Sequence, residues 1–345
     1  MKLLIAIPLA VFLFAGSVQA YGPRGHGLVG AIADKRLAQD KASSAAVKQL
    51  LEGLTLERVA TLPDEIRSFD NCDPKHPPRK TPLAIPKRVN DELMAFLKAN
   101  PCSGHPSHHD FHFTDVPVLG GEKYDGGKVG RSDFDIVHMI PFCIRVLKGE
   151  EPETNDRGIT KTVAVILLAH YLGDIHQPLH VGAEYFDSDG KPFEPTADTP
   201  GFADKGGNNL TLFTLIKGQE KSAGKLHSYW DGQTVENAFG ALKTPTIAGR
   251  LSKNEPESWQ LTGEPSAWAE QMANEILPVA REAHERLDFK QIKEKAGGKE
   301  ISGGRAEERR QSGGTFYALW AAATVKEEIH KAGWRLAALL EAILK

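Results

Sequence analysis

The chain reads as a mainly α protein, a helical bundle with a small β-hairpin and long loops. Three observations predict this. Apolar residues recur at helical spacing in several separate stretches. The run Ala164 to Ala169 is apolar throughout and free of Gly and Pro, as in a helix buried on most sides. Strand-like alternation is confined to a few short segments.

Residues 1–20 read as a secretory leader outside the fold. Lys2 supplies a positive start, Leu3 to Ala15 an apolar core, and Val18-Gln19-Ala20 a small-residue cleavage site. That apolar run is too short for a membrane span, and no later stretch reaches the roughly 18 apolar residues that a span needs. The mature chain is therefore expected to start at Tyr21, secreted or periplasmic, with room for one large domain or two moderate ones. A formal net charge of −3 in 345 residues offers no global basic field for coating nucleic acid. Three cysteines leave at least one unpaired. In an oxidising compartment Cys72 and Cys102 can bridge across a Pro-rich loop, whereas Cys143 falls in a helical pattern as a small buried hydrophobe.

Taken in order, Leu28, Val29, Ile32, Ala33 and Leu37 mark a first helix, with His26 near its start. His26 is a surface histidine or, lying five residues from a new amino terminus, a partner of that terminus in metal binding; a free α-amine has a pKa of about 7.7–8.0 and a metal can deprotonate it. Residues 43–53 and 55–69 read as two more helices. In the second, Asp64 and Arg67 are three apart, either a solvated ion pair or an inward ligand with a cation beside it. Residues 70–90 are a Pro-rich loop, followed by a short helix around 91–97. Phe111 to Val116 alternates like a short strand or extended segment, and His112 has the flanks of a ligand. His105, His108 and His109, among polar neighbours, read as exposed and idle loop residues. Ile136–Leu147 is helical.

The central helix, 158–176, carries His170 and Asp174 four apart and so on one face. Pro178 is disfavoured inside a helix, so the helix should stop near His176 and let His180 turn back toward the same cavity. Leu210–Ile216 can form a strand of a small hairpin. Ala223–Phe239 reads as a helix in which His227 and Asp231 repeat the His170/Asp174 spacing. Ser266–Leu287 and Phe316–Leu344 are long amphipathic helices, separated by a polar, Gly-rich surface loop, 296–314. His284 and His330 sit among Glu and Lys and read as solvated.

Collected, the Tyr21 terminus, His26, Asp64, His112, His170, Asp174, His180, His227 and Asp231 are too many donors for one tetrahedral zinc and suit a cluster in the core of a bundle. Three Zn²⁺ with three Asp and neutral imidazoles would carry about +3, a local attraction for polyanions in an acidic protein.

These motifs resemble the S1/P1 nuclease family, zinc-dependent enzymes that cut single-stranded DNA and RNA and remove 3′-phosphates. The resemblance spans nearly the whole chain after residue 20. It rests on the aromatic-Gly-x-x-Gly-His start, Asp64-Glu65-Ile66-Arg67, and Phe111-His112-Phe113-Thr114-Asp115. It continues through His170-x-x-x-Asp174-x-His176-Gln177-Pro178-Leu179-His180, Asp204-x-Gly206-Gly207-Asn208 and His227-x-x-Trp230-Asp231. It implies a single domain over 21–345 with the phospholipase C/P1 nuclease fold. By the resemblance one zinc takes Asp64, His112, His170 and Asp174. A second takes the Tyr21 amine and carbonyl, His26 and the bridging Asp174, and a third takes His180, His227 and Asp231. The implied reaction is attack of metal-activated hydroxide on phosphorus, releasing 5′-phosphorylated products, with Arg67 neutralising charge on the phosphoryl oxygens. Asn208, in the Gly-Gly-Asn motif, is an implied substrate contact. Phe113 is either a platform for an unpaired base, with Asp115 on the base edge, or a core aromatic. The resemblance implies no stable protein partner and a monomer. Two departures stand out: Tyr21 replaces the family's usual Trp, sparing ligands that are backbone atoms, and Gly232 replaces an Asn that often follows the last ligand. Bacterial zinc phospholipase C shares the cluster and is the enzyme alternative, but its first His lies farther from the terminus and its last ligand is Glu. A non-enzymatic zinc-binding protein is the other alternative, against which Arg67 beside Asp64 argues.

Overall fold

The computed structural model describes residues 21–70, 72, 77–120, 123–124, 128–216, 219–253, 256–309 and 314–344, so the leader 1–20 lies outside the described residues. The fold is mainly α. Helix α1 (Gly22–Leu37) starts with Pro23 in its first turn, where a missing N–H costs nothing. Asp40 caps α2 (Lys41–Leu50) by accepting from the Ala42 and Ser43 amides. The single helix expected over 55–69 is instead α3 (Leu56–Val59), α4 (Leu62–Ile66) and a 3₁₀ turn, Arg67–Phe69. Pro63 is the cause, because it has no N–H for the Val59 carbonyl. Helix α5 (Lys87–Ala99) is longer at both ends than expected.

Residues His108–His112 form a 3₁₀ turn rather than the start of a strand. Ser107 and Asp110 build a capping box that winds the segment; the chain is extended again at Phe113, and Val116–Pro117 (β1) pairs parallel with Gly182–Ala183 (β2). Asp135 caps α6 (Ile136–Lys148) and Thr160 caps α7 (Lys161–Asp174). From Thr162 onward every residue of α7 is buried, as its unbroken apolar stretch requires. It packs against α1, α3, α4, α5, α6 and α12. The Cys72–Cys102 disulfide is formed and Cys143 is a buried free thiol.

Beyond α7, Tyr185–Phe186 (β3) pairs with Phe202–Ala203 (β4). The expected hairpin is present as Leu210–Ile216 (β5) and Gln219–Lys225 (β6), but it belongs to a larger sheet. Leu287–Glu294 (β7) and Ile301–Glu308 (β8) complete four strands in the order β6-β5-β8-β7, with β5 and β8 parallel. The expected loop 296–314 thus contains the eight-residue strand β8. Its glycines misled: a Cβ on Gly304 would lie 2.4 Å from Ile292 and 3.0 Å from Leu210, so Gly304 permits close strand packing. The predicted helix 223–239 begins as the end of β6. It continues as α8 (Leu226–Ser228), a π-helical turn Tyr229–Gln233 and α9 (Thr234–Phe239). Helices α10 (Thr244–Leu251), α11 (Trp268–Glu285) and α12 (Tyr317–Ile343) follow. One contiguous buried cluster joins apolar side chains from Tyr21 to Leu340. No described helix is long and apolar enough to cross a membrane.

Candidate metal centre

Four chain segments meet at the C-terminal end of α7. On α7 itself, His170 donates its Nδ1–H to the Ala60 carbonyl at 2.7 Å, which aims Nε2 inward. That Nε2 lies 3.2 Å from Asp174 Oδ2, 3.0 Å from His112 Nδ1 and 3.9 Å from Asp64 Oδ1. His112 Nδ1 is also 2.9 Å from Asp174 Oδ2. The other Asp174 oxygen, Oδ1, is 3.3 Å from His26 Nε2. One carboxylate therefore faces two sets of imidazoles, as a bridging ligand must. The His26 ring stacks on His170 at 3.8 Å. Gly173 makes room for it, since a Cβ there would sit 2.7 Å from His26 Nδ1.

A second set lies beside the first. His180 donates Nδ1–H to the His112 carbonyl at 2.8 Å, and His227 donates Nδ1–H to the Gly206 carbonyl at 2.7 Å. Both Nε2 atoms are then lone pairs, and they face each other 3.0 Å apart. Asp231 Oδ2 is 3.5 Å from His227 Nε2, and Gln177 holds Asp231 Oδ1 at 2.9 Å. The π-helical turn puts Asp231 here, a use to which such turns are often put. Tyr21 is fully buried at the head of α1, its hydroxyl donates to the His176 carbonyl at 2.6 Å, and its backbone hydrogen-bonds to the Asp231 carboxyl.

The donor set fits a group of divalent ions. Both His26 nitrogens, both Asp64 oxygens, Asp174 Oδ1 and Asp231 Oδ2 are buried without a hydrogen-bond partner, where buried polar atoms are ordinarily satisfied. Two lone pairs at 3.0 Å repel unless a cation lies between them, and the edge of a zinc tetrahedron is close to this, about 3.3 Å. Protonation follows the same logic. Burial, then His180, holds the His227 imidazole down to about 3, and burial also lowers His180 and His112. Neutral imidazole is the ligand form. Burial raises Asp231 well above the carboxylate range, a strain that a neighbouring cation relieves. Burial works to lower His170, yet Asp174 and Asp64 hold it up at about 9. Burial works to raise Asp174, yet His170 and His180 keep it well below the usual range. The carboxylates of this centre thus attract positive charge.

Above the centre opens a cleft of about 340 Å³, whose walls include Arg67, Phe113, Asp115, Lys205 and Asn208. Arg67 Nη1 is 3.8 Å from Asp64 Oδ1. Phe113 is half-buried at the cleft wall rather than a core aromatic. Burial and the nearby Asp204 push the Asp115 carboxyl up to about 7. Asn208 donates its amide to the Lys205 carbonyl at 2.9 Å, which fixes its side chain at the rim.

All the expected ligand residues therefore converge. Four histidines were misread. His284 is buried, with Nε2 3.1 Å from Asp204 Oδ2. His330 is half-buried and accepts from the Trp334 indole at 3.0 Å. His108 is buried and His109 half-buried, both on Asp70. Charged sequence neighbours hid each one, because burial here comes from partners distant in the chain. Lys205 was also overlooked, its only signal being its place inside the Asp204-x-Gly-Gly motif.

A family model described as S1/P1 Nuclease matches residues 21–345. The chain is 23% identical over 253 residues to Endonuclease 2 of Arabidopsis thaliana, covering 71% of this chain and 67% of that protein. It is 24% identical over 241 residues to Endonuclease 1 of the same plant, covering 69% and 61%. To Endonuclease 4 it is 26% identical over 127 residues, 35% of this chain and 34% of the relative. The matches thus span about two thirds or less of each relative's length. With a family model that covers the chain from Tyr21 to its last residue and a donor cluster that gathers the motifs into one buried centre, the chain belongs to the S1/P1 nuclease family.

Proposed function

We propose that this protein is a secreted or periplasmic, monomeric phosphodiesterase with three zinc ions, hydrolysing single-stranded DNA and RNA to 5′-phosphorylated products and removing 3′-phosphates. The observation that carries the reading is the pairing of two donor sets: His180 and His227 with opposed lone pairs at 3.0 Å, and Asp174 turning its two oxygens to different histidines. His112, His170, Asp64 and Asp174 would hold one ion; His26, Asp174 and the Tyr21 backbone a second; His180, His227 and Asp231 a third. When bound, zinc supplies Lewis-acid charge and acidifies a water to a pKa near 7.

The remaining work falls to the chain itself. Arg67 is aimed over Asp64 and neutralises charge growing on the phosphoryl oxygens. Phe113 offers a half-buried face for a base, and Asp115 meets the base edge. At neutral pH the Asp115 carboxyl, held at about 7, is present both as acid and as carboxylate, so it can donate or accept. A base reaching them must be unpaired, which selects single strands. Lys205 and Asn208 line the path of the adjoining backbone.

The test is turnover by the processed, zinc-loaded protein on single-stranded DNA, a 3′-nucleotide and phosphatidylcholine, with metal counted per chain. Cleavage of the first two by protein containing three zincs is expected. Lipid hydrolysis without nuclease activity, or full metal loading without turnover on any of them, would sink the reading.

A further inference from the structure

We propose that Asp70 and His109 form a positioning relay that holds the Arg67 guanidinium in place over the reacting phosphate. The idea rests on the role given to Arg67 in the nuclease reading above.

Arg67 lies in the 3₁₀ turn that follows α4, and at 3.8 Å its contact with Asp64 is too long to fix a guanidinium. A firm contact is on the other side, where Nη2 lies 2.8 Å from His109 Nδ1. Arginine only donates, so Nδ1 must accept, and the ring proton of neutral His109 is on Nε2. That Nε2 points at Asp70 Oδ2, 2.8 Å away. His108 Nε2 approaches the same oxygen at 2.7 Å, and the Asp70 amide donates to the Arg67 carbonyl at 3.2 Å. The bonds close a ring from Arg67 through His109 and Asp70 back to the turn that carries Arg67. The Cys72–Cys102 disulfide ties the chain just after Asp70 to the segment that leads into His108 and His109.

Asp70 supplies a charged end for the relay. Burial works to raise its carboxyl, but the hydrogen bonds from His108 and His109 bring it down to about 2. An ionised acceptor at Nε2 polarises the ring and makes Nδ1 a better acceptor for Arg67. His109 lines the cleft beside Arg67, and Asp70 stands behind it on the far side of the ring. A guanidinium fixed before the substrate arrives needs no reorganisation during the reaction.

Asp70, His108 and His109 also lie close enough to hold an ion, but the tautomer opposes this. A metal on His109 Nε2 would move the proton to Nδ1, against the Arg67 donor 2.8 Å away.

The experiment compares Asp70→Asn, His109→Ala and Arg67→Ala, singly and in pairs, by kcat and KM on single-stranded DNA, zinc per chain and Tm. His109→Ala and Asp70→Asn are each expected to lower kcat about 10-fold or more, with KM and zinc unchanged; Asp70→Asn, which gives up the charge that the two histidines hold ionised, is also expected to lower Tm, so kcat is read well below it. In the Arg67→Ala background neither should lower it further. If either substitution still reduces kcat in that background, the relay is wrong and the residue acts on its own. Loss of a zinc equivalent in Asp70→Asn would make the cluster a metal site instead. Normal kcat in both relay variants alongside a crippled Arg67→Ala overturns the relay and leaves the nuclease reading intact; an unimpaired Arg67→Ala removes the relay together with the role given to Arg67.

Discussion

His170 shows how much of the centre depends on one side chain. Its Nδ1 is anchored to the Ala60 carbonyl and its Nε2 faces Asp64, His112 and Asp174, all of them buried. His170→Ala would strip the first ion of a ligand and leave two buried carboxylates without their partner. Breaking such a buried pair costs on the order of 3–5 kcal/mol, and a metal site that exists only in the folded chain would couple binding to folding. The variant should therefore lose activity and bound zinc, and also melt at a lower temperature. An inactive protein with wild-type heat resistance would contradict the coupling. His170 was legible in the sequence because Asp174 follows at helical spacing on an apolar helix. Asp70, His108 and His109 were not, since their contacts span some 38 and 39 residues and neither periodicity nor a local motif joins them.

The same contrast holds for whole elements. Helix α7 and the ends of α11 and α12 follow from apolar spacing alone, but α3 and α4 separate at a proline, and β8 is recognisable as a strand only once Ile292 and Leu210 close over Gly304. Helix α11 carries His284, which holds Asp204 two residues before Gly206, whose carbonyl in turn orients His227. Burial works to lower His284, but the hydrogen bond and charge of Asp204 raise it to about 9. A histidine whose folded pKa lies above its unfolded value near 6.5 contributes stability that is fully present below about 6.5 and lost as pH climbs through about 9. A raised acid acts in the same direction. Glu184, lifted to about 7 by burial, costs stability as pH rises from about 4.5 through 7. Tm of the zinc-loaded protein should accordingly fall between pH 7 and about 9.5, and His284→Gln, which keeps a donor but cannot titrate, should flatten that slope. An unchanged slope in His284→Gln would show that other groups set it.

At the scale of the whole molecule, removal of residues 1–20 as a leader would join maturation to the site through Tyr21. Tyr21 caps α1 with its ring fully buried and its backbone hydrogen-bonded to Asp231, while α1 packs against α3, α7, α10 and α12. The position that a leader peptidase would free is thus beside the ligands, on a helix wedged into the middle of the bundle. While residues 1–20 remain attached, the Tyr21 nitrogen is an amide whose lone pair is delocalised into the carbonyl. Once cut, it is an amine of pKa about 7.7–8.0, within reach of deprotonation by a metal. Processed protein should therefore bind one more zinc than protein expressed with an uncleavable leader. It should also gain thermal stability from added zinc that the uncleaved form does not, because only the processed form completes the second site. Metal analysis and melting of the two forms side by side is the measurement. Equal zinc counts in both would remove the amino terminus from the ligand set, leaving His26 and Asp174 to hold that ion without it.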